Sequence, residues 1–254
     1  MKTQSCLTFK GLSWARVFYL YPEKIDDALI DLLANHPRVV PYVDMPLQHA
    51  SDAMLKRMRR GHGKDRQKRV VERMRASIPE LVFRTAFIVG HPGETDQDFE
   101  ELCEFVKWAR FEHVGVFRYS DEETAASNAQ GGKVRTVVTA NRWRKLMGLQ
   151  RKIAREKNKT LVGRELEVLV EGASEEHDLV MMGRHRGQAP EIDGQVYLSG
   201  EVLPGQMRRV LVTQASDYDL VGDVIDENEF AARSGPKKKR VSLKVLSSTP
   251  RAHQ

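Results

Sequence analysis

Cysteine is scarce in this chain, and the scarcity limits its chemistry. The 254 residues contain two cysteines, Cys6 and Cys103, which cannot build a disulfide framework. A 4Fe–4S cluster is held by more thiolates than two residues can supply. No spacing of His, Cys, Asp or Glu is typical of a metal site. We therefore expect no metal ligand in this sequence.

Long apolar runs are also missing. No stretch approaches the roughly 18 consecutive apolar residues that a membrane-spanning helix needs. The first residues, MKTQSCLTFKGL, lack the apolar core of a signal peptide. With so few cysteines and no secretion signal, we expect a cytoplasmic protein without membrane contact.

The net charge of +6 is distributed unevenly. Residues 227–254 carry seven Lys and Arg side chains and two Glu, a net charge of +5, which leaves +1 for the remaining 226 residues. Basic tails of this kind are usually solvated, but some bind nucleic acid. We expect a disordered tail, with an RNA-binding arm as the alternative.

Strands and helices alternate over the first half of the chain. Predicted strands lie at Arg16–Leu20, Val39–Met45, Leu81–Val89 and Val114–Tyr119. Between them, apolar spacing predicts helices that begin near Ile25, Ser51, Asp65 and Thr95. Repeated strand–helix–strand units indicate a parallel sheet. The nearly continuous apolar run of the third strand predicts that both of its faces are buried.

The predicted parallel sheet has too few strands to be a complete domain. Four strands cannot close a barrel, and an open sheet leaves apolar edges exposed. We therefore expect that the sequence lacks the front of this domain. The loops that follow strands in such sheets meet at one rim. The four loops expected there are residues 21–23, 46–52, 90–95 and 119–123.

A second module is predicted after a linker at residues 121–137. Thr139 can cap a long helix that ends near Asn158. One side of this helix is predicted to be apolar, and basic residues, Arg142 among them, lie on its other faces. Five short strands punctuated by glycines follow between residues 165 and 224, which suggests a small barrel of the oligonucleotide-binding type. Its polar loop 183–194 could bind an RNA backbone or an acidic protein loop, or could simply face solvent.

Two rim segments could bind a ligand. Residues Phe87–Thr95 form a strand that enters a Gly-x-Pro-Gly turn and then a helix with a capping box at Thr95 and Asp98. Glycines let a ligand approach the backbone, although ordinary βα turns share this composition. Gln48 can donate and accept hydrogen bonds, whereas His49 is typical of a structural histidine. Cys103 lies on an apolar helix stripe and is predicted to be core.

Four ordered motifs resemble a known family. They are Pro46–Asp52, Met58–His62, Phe87–Thr95 and Val114–Ser120, and they are similar to motifs of the radical S-adenosylmethionine methylthiotransferases. The Leu47–Asp52 form resembles the RimO branch. The resemblance implies an α/β fold: a partial (β/α) radical-SAM barrel with parallel strands at 14–158, then a small all-β, OB-like TRAM barrel at 159–226. Residues 1–13 are an unassigned leader, and 227–254 are the tail.

The resemblance also implies an activity. RimO-type enzymes add a methylthio group to the β-carbon of an aspartate of ribosomal protein S-twelve. They use S-adenosylmethionine and two 4Fe–4S clusters, one bound by an N-terminal domain and one by a CxxxCxxC loop. Neither is found in this sequence, so its catalytic residues are unknown and the chain alone is expected to be inactive. The alternatives are a MiaB-type tRNA methylthiotransferase and a non-catalytic module that binds RNA or ribosomes.

Site residues follow from the same resemblance. The cofactor-binding set is Gln48, Ile88, Gly90, Gly93, Glu94, Tyr119 and Ser120, with Ile88–Glu94 at the adenine. Arg184, Arg186 and Glu191 are the candidates for contacting ribosomal protein S-twelve. RNA could bind through the TRAM domain or the tail. His91 stands where the family tends to have an aromatic residue, usually Phe.

Overall fold

The structure is a computed structural model that describes residues 11–120, 131–174 and 177–225, with the side chains of 177–179 excepted. The predicted tail, most of the leader and residues 121–130 of the linker lie outside the described residues. The chain divides into two compact units between Ile153 and Ala154. The domain boundaries given above stay a prediction. No helix among the described residues is long and apolar enough to cross a membrane.

The first unit alternates strands with helices, as predicted. Its strands are β1 (Ala15–Val17), β2 (Val39–Asp44), β3 (Val82–Val89) and β4 (His113–Arg118). Its helices are α1 (Asp27–Asn35), α2 (Asp52–Arg57), α3 (Lys64–Ser77), α4 (Asp96–Ala109) and α5 (Thr136–Lys159), the last of which continues into the second unit. A short 3-10 turn covers Pro22–Lys24.

The four strands form one open, fully parallel sheet in the order β1-β2-β3-β4. The β3–β4 pair is the longest in register, from Arg84 opposite His113 to Val89 opposite Arg118. The predicted parallel sheet is confirmed. Because all strands run the same way, the segments after β2, β3 and β4 emerge at the same edge.

Side-chain caps define three of the helix starts, and at α1 the Asp26 carboxylate accepts a hydrogen bond from Leu29 N–H at 2.8 Å. The Ser51 hydroxyl accepts a hydrogen bond from Met54 N–H at the start of α2. Thr95 and Asp98 make both halves of the predicted capping box on α4. The predicted cap at Thr139 is wrong, because α5 begins at Thr136. The amide of Thr139 already donates to Arg135 O at 3.0 Å, which places this residue inside the first turn.

Burial along β3 differs from the expectation of two buried faces. Alternate residues, from Phe83 to Val89, are buried, while those between them are half-buried. The buried face packs under α4 and α5 in a core that includes Phe87, Phe105 and Phe111. Cys103 belongs to this core, as predicted. The other face, which carries Arg84 and Ile88, has no such layer over it among the described residues.

The second unit contains a closed five-stranded barrel. Its strands are β5 (Glu165–Ser174), β6 (His177–His185), β7 (Val196–Ser199), β8 (Met207–Ala215) and β9 (Leu220–Val224). The order around the barrel is β5-β6-β7-β9-β8, with β8 pairing back to β5. Inward-facing aliphatic side chains such as Val168, Val196 and Val210 fill the interior. The predicted small barrel is confirmed.

Candidate functional site

The loop after β2 is held against β3 by its backbone. Gln48 N–H donates to Ala86 O at 2.8 Å, and Ile88 N–H donates to Gln48 O at 2.9 Å. Gln48 has a φ of +70°, a left-handed conformation that costs a non-glycine residue of the order of 1–3 kcal/mol. Its half-buried side chain has no hydrogen-bond partner among the described residues. The Gln48 amide is therefore available to a polar ligand.

The loop after β3 is a tight turn that needs its glycines. Gly90 and Gly93 have φ values of +80° and +82°. A Cβ added at Gly90 would lie 2.2 Å from Thr139 Oγ1, and one at Gly93 would overlap the Arg57 guanidinium. Both positions thus combine a left-handed backbone with close packing, which only glycine tolerates. The turn is buried at Gly90 and half-buried at Gly93.

Glu94 is the buried centre of this turn. Its Oε2 accepts hydrogen bonds from Gly90 N–H at 2.5 Å and from Arg142 Nη1 at 2.8 Å. Its Oε1 lies 3.2 Å from His49 Nε2. Because Ser51 N–H donates to His49 Nδ1 at 3.0 Å, the proton of a neutral His49 sits on Nε2 and points at Glu94. The Glu94 carboxylate therefore positions the loops and faces the protein.

Further bonds lock the β2 and β3 loops together. The Ser51 hydroxyl donates to Asp98 Oδ1. Burial raises the pKa of Asp98, but hydrogen bonds from Ser51 and Thr95 outweigh it and lower that pKa overall. Buried Gln67, on α3, donates from Nε2 to both Leu47 O and His49 O, at 3.1 and 3.0 Å. These bonds hold the two loops against each other and against α3.

An open cavity of about 410 Å³ lies at this edge of the sheet. Its lining includes Gly90, Tyr119, Ser120, Lys133 and Thr139. Tyr119 N–H donates to Val89 O at 2.9 Å, so β4 delivers its last residues directly beside the β3 turn. The volume lies within the range of sites for small molecules. The cavity therefore has room for a small molecule, and the Gln48 amide of the neighbouring loop has no partner among the described residues.

His91 closes the turn as an aromatic residue would. It is buried and packs edge-on against Tyr119, with 5.1 Å between ring centroids. Burial lowers the pKa of His91, although a hydrogen bond to Pro92 O opposes this shift. His91 therefore presents a neutral ring to Tyr119.

The described residues do not fit an iron–sulfur cluster. Cys103 is 1% exposed in the core, and burial raises the pKa of its thiol to about 11. Cluster ligands are thiolates, and this thiol is both protonated and sealed. Within the described ranges no group of three or more His, Cys, Asp or Glu is placed to hold a metal ion.

Two family models match this chain. The radical SAM superfamily model matches residues 10–106, and the TRAM domain model matches residues 162–225. The protein of Sorangium cellulosum (strain So ce56) named "Ribosomal protein uS12 methylthiotransferase RimO" is 62% identical over 96% of this chain and 52% of its own length. The chain belongs to the RimO branch of the radical SAM superfamily. The protein of the same name from Myxococcus xanthus (strain DK1622) is 47% identical over 94% of this chain and 49% of that protein.

The RimO-branch chain spans about half the length of the curated relatives it matches. Among solved structures, coproporphyrinogen III oxidase (HemN) from Escherichia coli, a radical SAM enzyme, superposes with a TM-score of 0.48 at 11% identity, over 68% of this chain and 44% of that chain.

The predicted rim residues of this RimO-branch chain come together, and the roles assigned to them stay predictions. The loops after β2, β3 and β4 meet through Gln48, Glu94 and Tyr119, while the loop after β1 is tied to β2 by Tyr19 N–H and Asp44 Oδ2 at 3.3 Å. On the barrel, Arg184 Nε donates to Glu171 Oε1 at 2.7 Å. Glu191 is exposed with a φ of +66°.

Sequence reasoning missed Arg142 and Thr139. Both lie on α5, more than 40 residues beyond the turn that they support. Arg142 was assigned to a charged helix face, but it is 6% exposed and donates to Glu94 and Asp96. No local spacing distinguishes a buried arginine from the exposed ones beside it, so no signal in the sequence could have found it.

Proposed function

We propose that this chain supplies the S-adenosylmethionine-binding rim and the substrate-docking barrel of a methylthiotransferase that modifies an aspartate of ribosomal protein S-twelve. The proposed radical-SAM part is residues 14–158, and the proposed TRAM domain is residues 159–226. The observation that carries the proposal is the arrangement of the rim. Gln48 has a strained backbone and an amide without a partner among the described residues, and Glu94 holds the neighbouring glycine turn through a hydrogen bond from Gly90 N–H. A strained backbone held by its surroundings is characteristic of functional sites.

The residues of the rim would bind and orient the cofactor. Together with a 4Fe–4S cluster, S-adenosylmethionine supplies a radical that removes a hydrogen from the β-carbon of the substrate aspartate. Gln48 would hydrogen-bond polar atoms of the nucleoside, and the backbone from Ile88 to Gly90 would lie along the adenine edge. Glu94 and Gly93 would shape the turn, and Tyr119 and Ser120 would line its open side. The cluster ligands would have to come from residues other than these.

The charge of the barrel supports a protein substrate over tRNA. Residues 165–225 contain twelve acidic side chains, four arginines and no lysine, a formal net charge of −8. Such a surface repels phosphates and attracts a basic protein. Ribosomal proteins bind rRNA phosphates with Lys and Arg, so S-twelve offers the complementary charge. The proposed site of action is the cytoplasm, where ribosomes are.

Binding measurements with the full chain distinguish the candidate substrates. We expect purified ribosomal protein S-twelve to bind and to show weaker binding as the salt concentration rises, because the attraction is between opposite charges. A tRNA anticodon stem-loop is the competitor expected of a MiaB-type enzyme. If it binds at the barrel and S-twelve does not, the proposed substrate is wrong.

Reconstitution tests whether this chain acts alone. After anaerobic treatment with iron and sulfide, we expect less than one 4Fe–4S cluster per chain and no methylthiolation of S-twelve by mass spectrometry, even with S-adenosylmethionine and a reductant. A stoichiometric cluster, or modified S-twelve, would contradict this part of the proposal.

A further inference from the structure

A second charged surface lies on the first unit, at residues 56–75, which we call the basic segment. It covers the end of α2, the turn after it and most of α3. Ten of its twenty residues are Lys or Arg and two are acidic, a formal net charge of +8. Seven of the ten cations are arginines. The near-neutral average over residues 1–226 conceals this concentration.

Some of these cations are part of the fold. Lys64 pairs with Glu101 at 2.7 Å, and Arg75 with Glu112 at 3.4 Å. Arg73 pairs with Asp27. Arg57 donates to two backbone carbonyls, those of Pro92 and Gly131. These contacts fix the segment against α1, α4 and the glycine turn of the rim.

Half-buried Lys68 lies over the Trp108 ring, with 5.4 Å from Nζ to the ring centroid, and the other five cations have no matching acid among the described residues. Lys56, Arg59, Arg66 and Arg69 are exposed and Arg60 is half-buried. None of the five has an ion-pair partner within 4 Å among the described residues, although Arg66 feels the charge of Glu23. Clustered like charges destabilise the compact state by mutual repulsion, and an anionic partner relieves it.

The helix holds these cations in a fixed row. Gln67, Val71 and Met74 point into the protein, which turns Arg66 and Arg69 outward on the same side as Arg73, the partner of Asp27. At 1.5 Å per residue, these three arginines span about 10 Å along α3. Arg59, held at a φ of +55° in the turn before the helix, extends the surface toward the rim.

We propose that the basic segment binds the sugar–phosphate backbone of RNA. Guanidinium groups match phosphate oxygens with two parallel hydrogen bonds, which favours arginine at such surfaces. A membrane surface fits less well, because helices that bind lipid expose an apolar face, whereas the apolar face of α3 is buried in the core.

The RNA surface complements the acidic barrel. A basic substrate protein and the RNA that it binds carry opposite charges. A chain that binds both would need an acidic surface for the protein and a basic surface for the RNA. Arg57 links the segment to the rim, since its guanidinium donates to Pro92 O beside Gly93 at 3.1 Å. RNA binding needs neither cofactor nor turnover, so its failure can be told apart from failure of the proposed methylthio transfer.

Charge-matched variants of the full chain test this inference. The first is Arg59→Gln, Arg66→Gln, Arg69→Gln. The control is Arg144→Gln, Lys152→Gln, Lys159→Gln. It removes three exposed cations of α5 that also have no ion-pair partner among the described residues. Fluorescence anisotropy with a labelled double-stranded RNA, at several salt concentrations, gives the affinity and its salt dependence. Circular dichroism confirms that both variants fold.

We expect the first variant to lose roughly tenfold or more in affinity, and its slope of log K against log salt to fall by about 2–3, close to 0.9 per lost phosphate contact. The control is expected to stay within about twofold of the parent, since it lacks the row of α3. An equal loss in both variants would reduce the effect to net charge and overturn the inference. Equal binding by parent and variant, or binding to vesicles of phosphatidylglycerol and phosphatidylcholine but not to RNA, would also overturn it.

Discussion

His91 shows how one residue adapts to a position that suits an aromatic ring. Its imidazole is buried, contacts Tyr119 by its edge, and is surrounded by Arg57, Glu94 and His49. Burial lowers its pKa below the ordinary 6.5. The residue therefore serves as a neutral ring, and its contribution to the free energy of unfolding depends on pH.

The pH dependence of stability tests the state of His91. As pH falls through 6.5, the unfolded chain binds a proton that the folded His91 resists, so the free energy of unfolding falls from there toward the folded pKa. His91→Phe removes this loss. We expect urea denaturation to show that the free energy of unfolding of the variant, relative to that of the wild type, is higher at about pH 5 than at about pH 8. At about pH 8, His91 is neutral in both the folded and the unfolded chain. Parallel pH curves for the two proteins would contradict the assignment.

Gly90 meets two separate requirements, a positive φ angle and close packing against Thr139. Alanine at a positive φ costs roughly 1–2 kcal/mol, and at Gly90 its Cβ would also overlap Thr139. Gly11→Ala is the control, because Gly11 has a φ of +86° and no atom within 4 Å of an added Cβ. We expect Gly90→Ala to lower the free energy of unfolding by about 1 kcal/mol or more beyond the control, measured by urea denaturation. Equal losses would mean that Thr139 yields easily.

At the scale of elements, α5 is the support on which the rim rests. It places Arg142 against the carboxylates of Glu94 and Asp96, and Trp143 Nε1 donates to Val116 O at 2.8 Å. The sequence predicts α5 as a long helix with charged faces, but not this function. One buried arginine ties the helix to a turn formed by residues far earlier in the chain.

Removal of the Arg142 charge should destabilise the protein at this turn. Arg142→Gln leaves the buried Glu94 carboxylate without its cation, and loss of one partner of a buried pair typically costs about 3–5 kcal/mol. The control Arg144→Gln removes an exposed arginine two residues away and should cost less than about 0.5 kcal/mol. Urea denaturation gives both values. The double variant Arg142→Gln, Glu94→Gln completes the cycle. If its loss in free energy of unfolding equals the sum of the losses of the two single variants, the two residues do not act as a pair.

At the scale of the whole molecule, charge is segregated by module. Residues 165–225 are strongly acidic, and residues 56–75 are strongly basic. Because the two charges nearly cancel, the net charge of the chain hides both. We attribute recognition of a basic protein to the first surface and of RNA to the second.

Neutralisation of the barrel should separate these two interactions. Among the described residues, the side chains of Glu167, Glu191 and Asp223 have no hydrogen-bond or ion-pair partner, and the first two are exposed. The variant Glu167→Gln, Glu191→Gln, Asp223→Asn should weaken S-twelve binding by on the order of tenfold, at up to about 1 kcal/mol for each surface charge. Affinity for double-stranded RNA should not fall. Unchanged S-twelve binding would remove the barrel charges from the recognition of that protein.

The sequence by itself determined the elements and their class. Apolar periodicity located β2, β3 and α4, the Thr95–Asp98 spacing specified a capping box, and glycine-separated strands indicated the barrel. These are local properties, set by residues within a few positions of one another. The tertiary structure decided the rest: that His49, Glu94 and Arg142 meet, that Thr139 packs against Gly90, and that only one face of β3 is fully buried. Such contacts join residues 45 to 49 positions apart, and no local pattern encodes which distant side chain fills a given space.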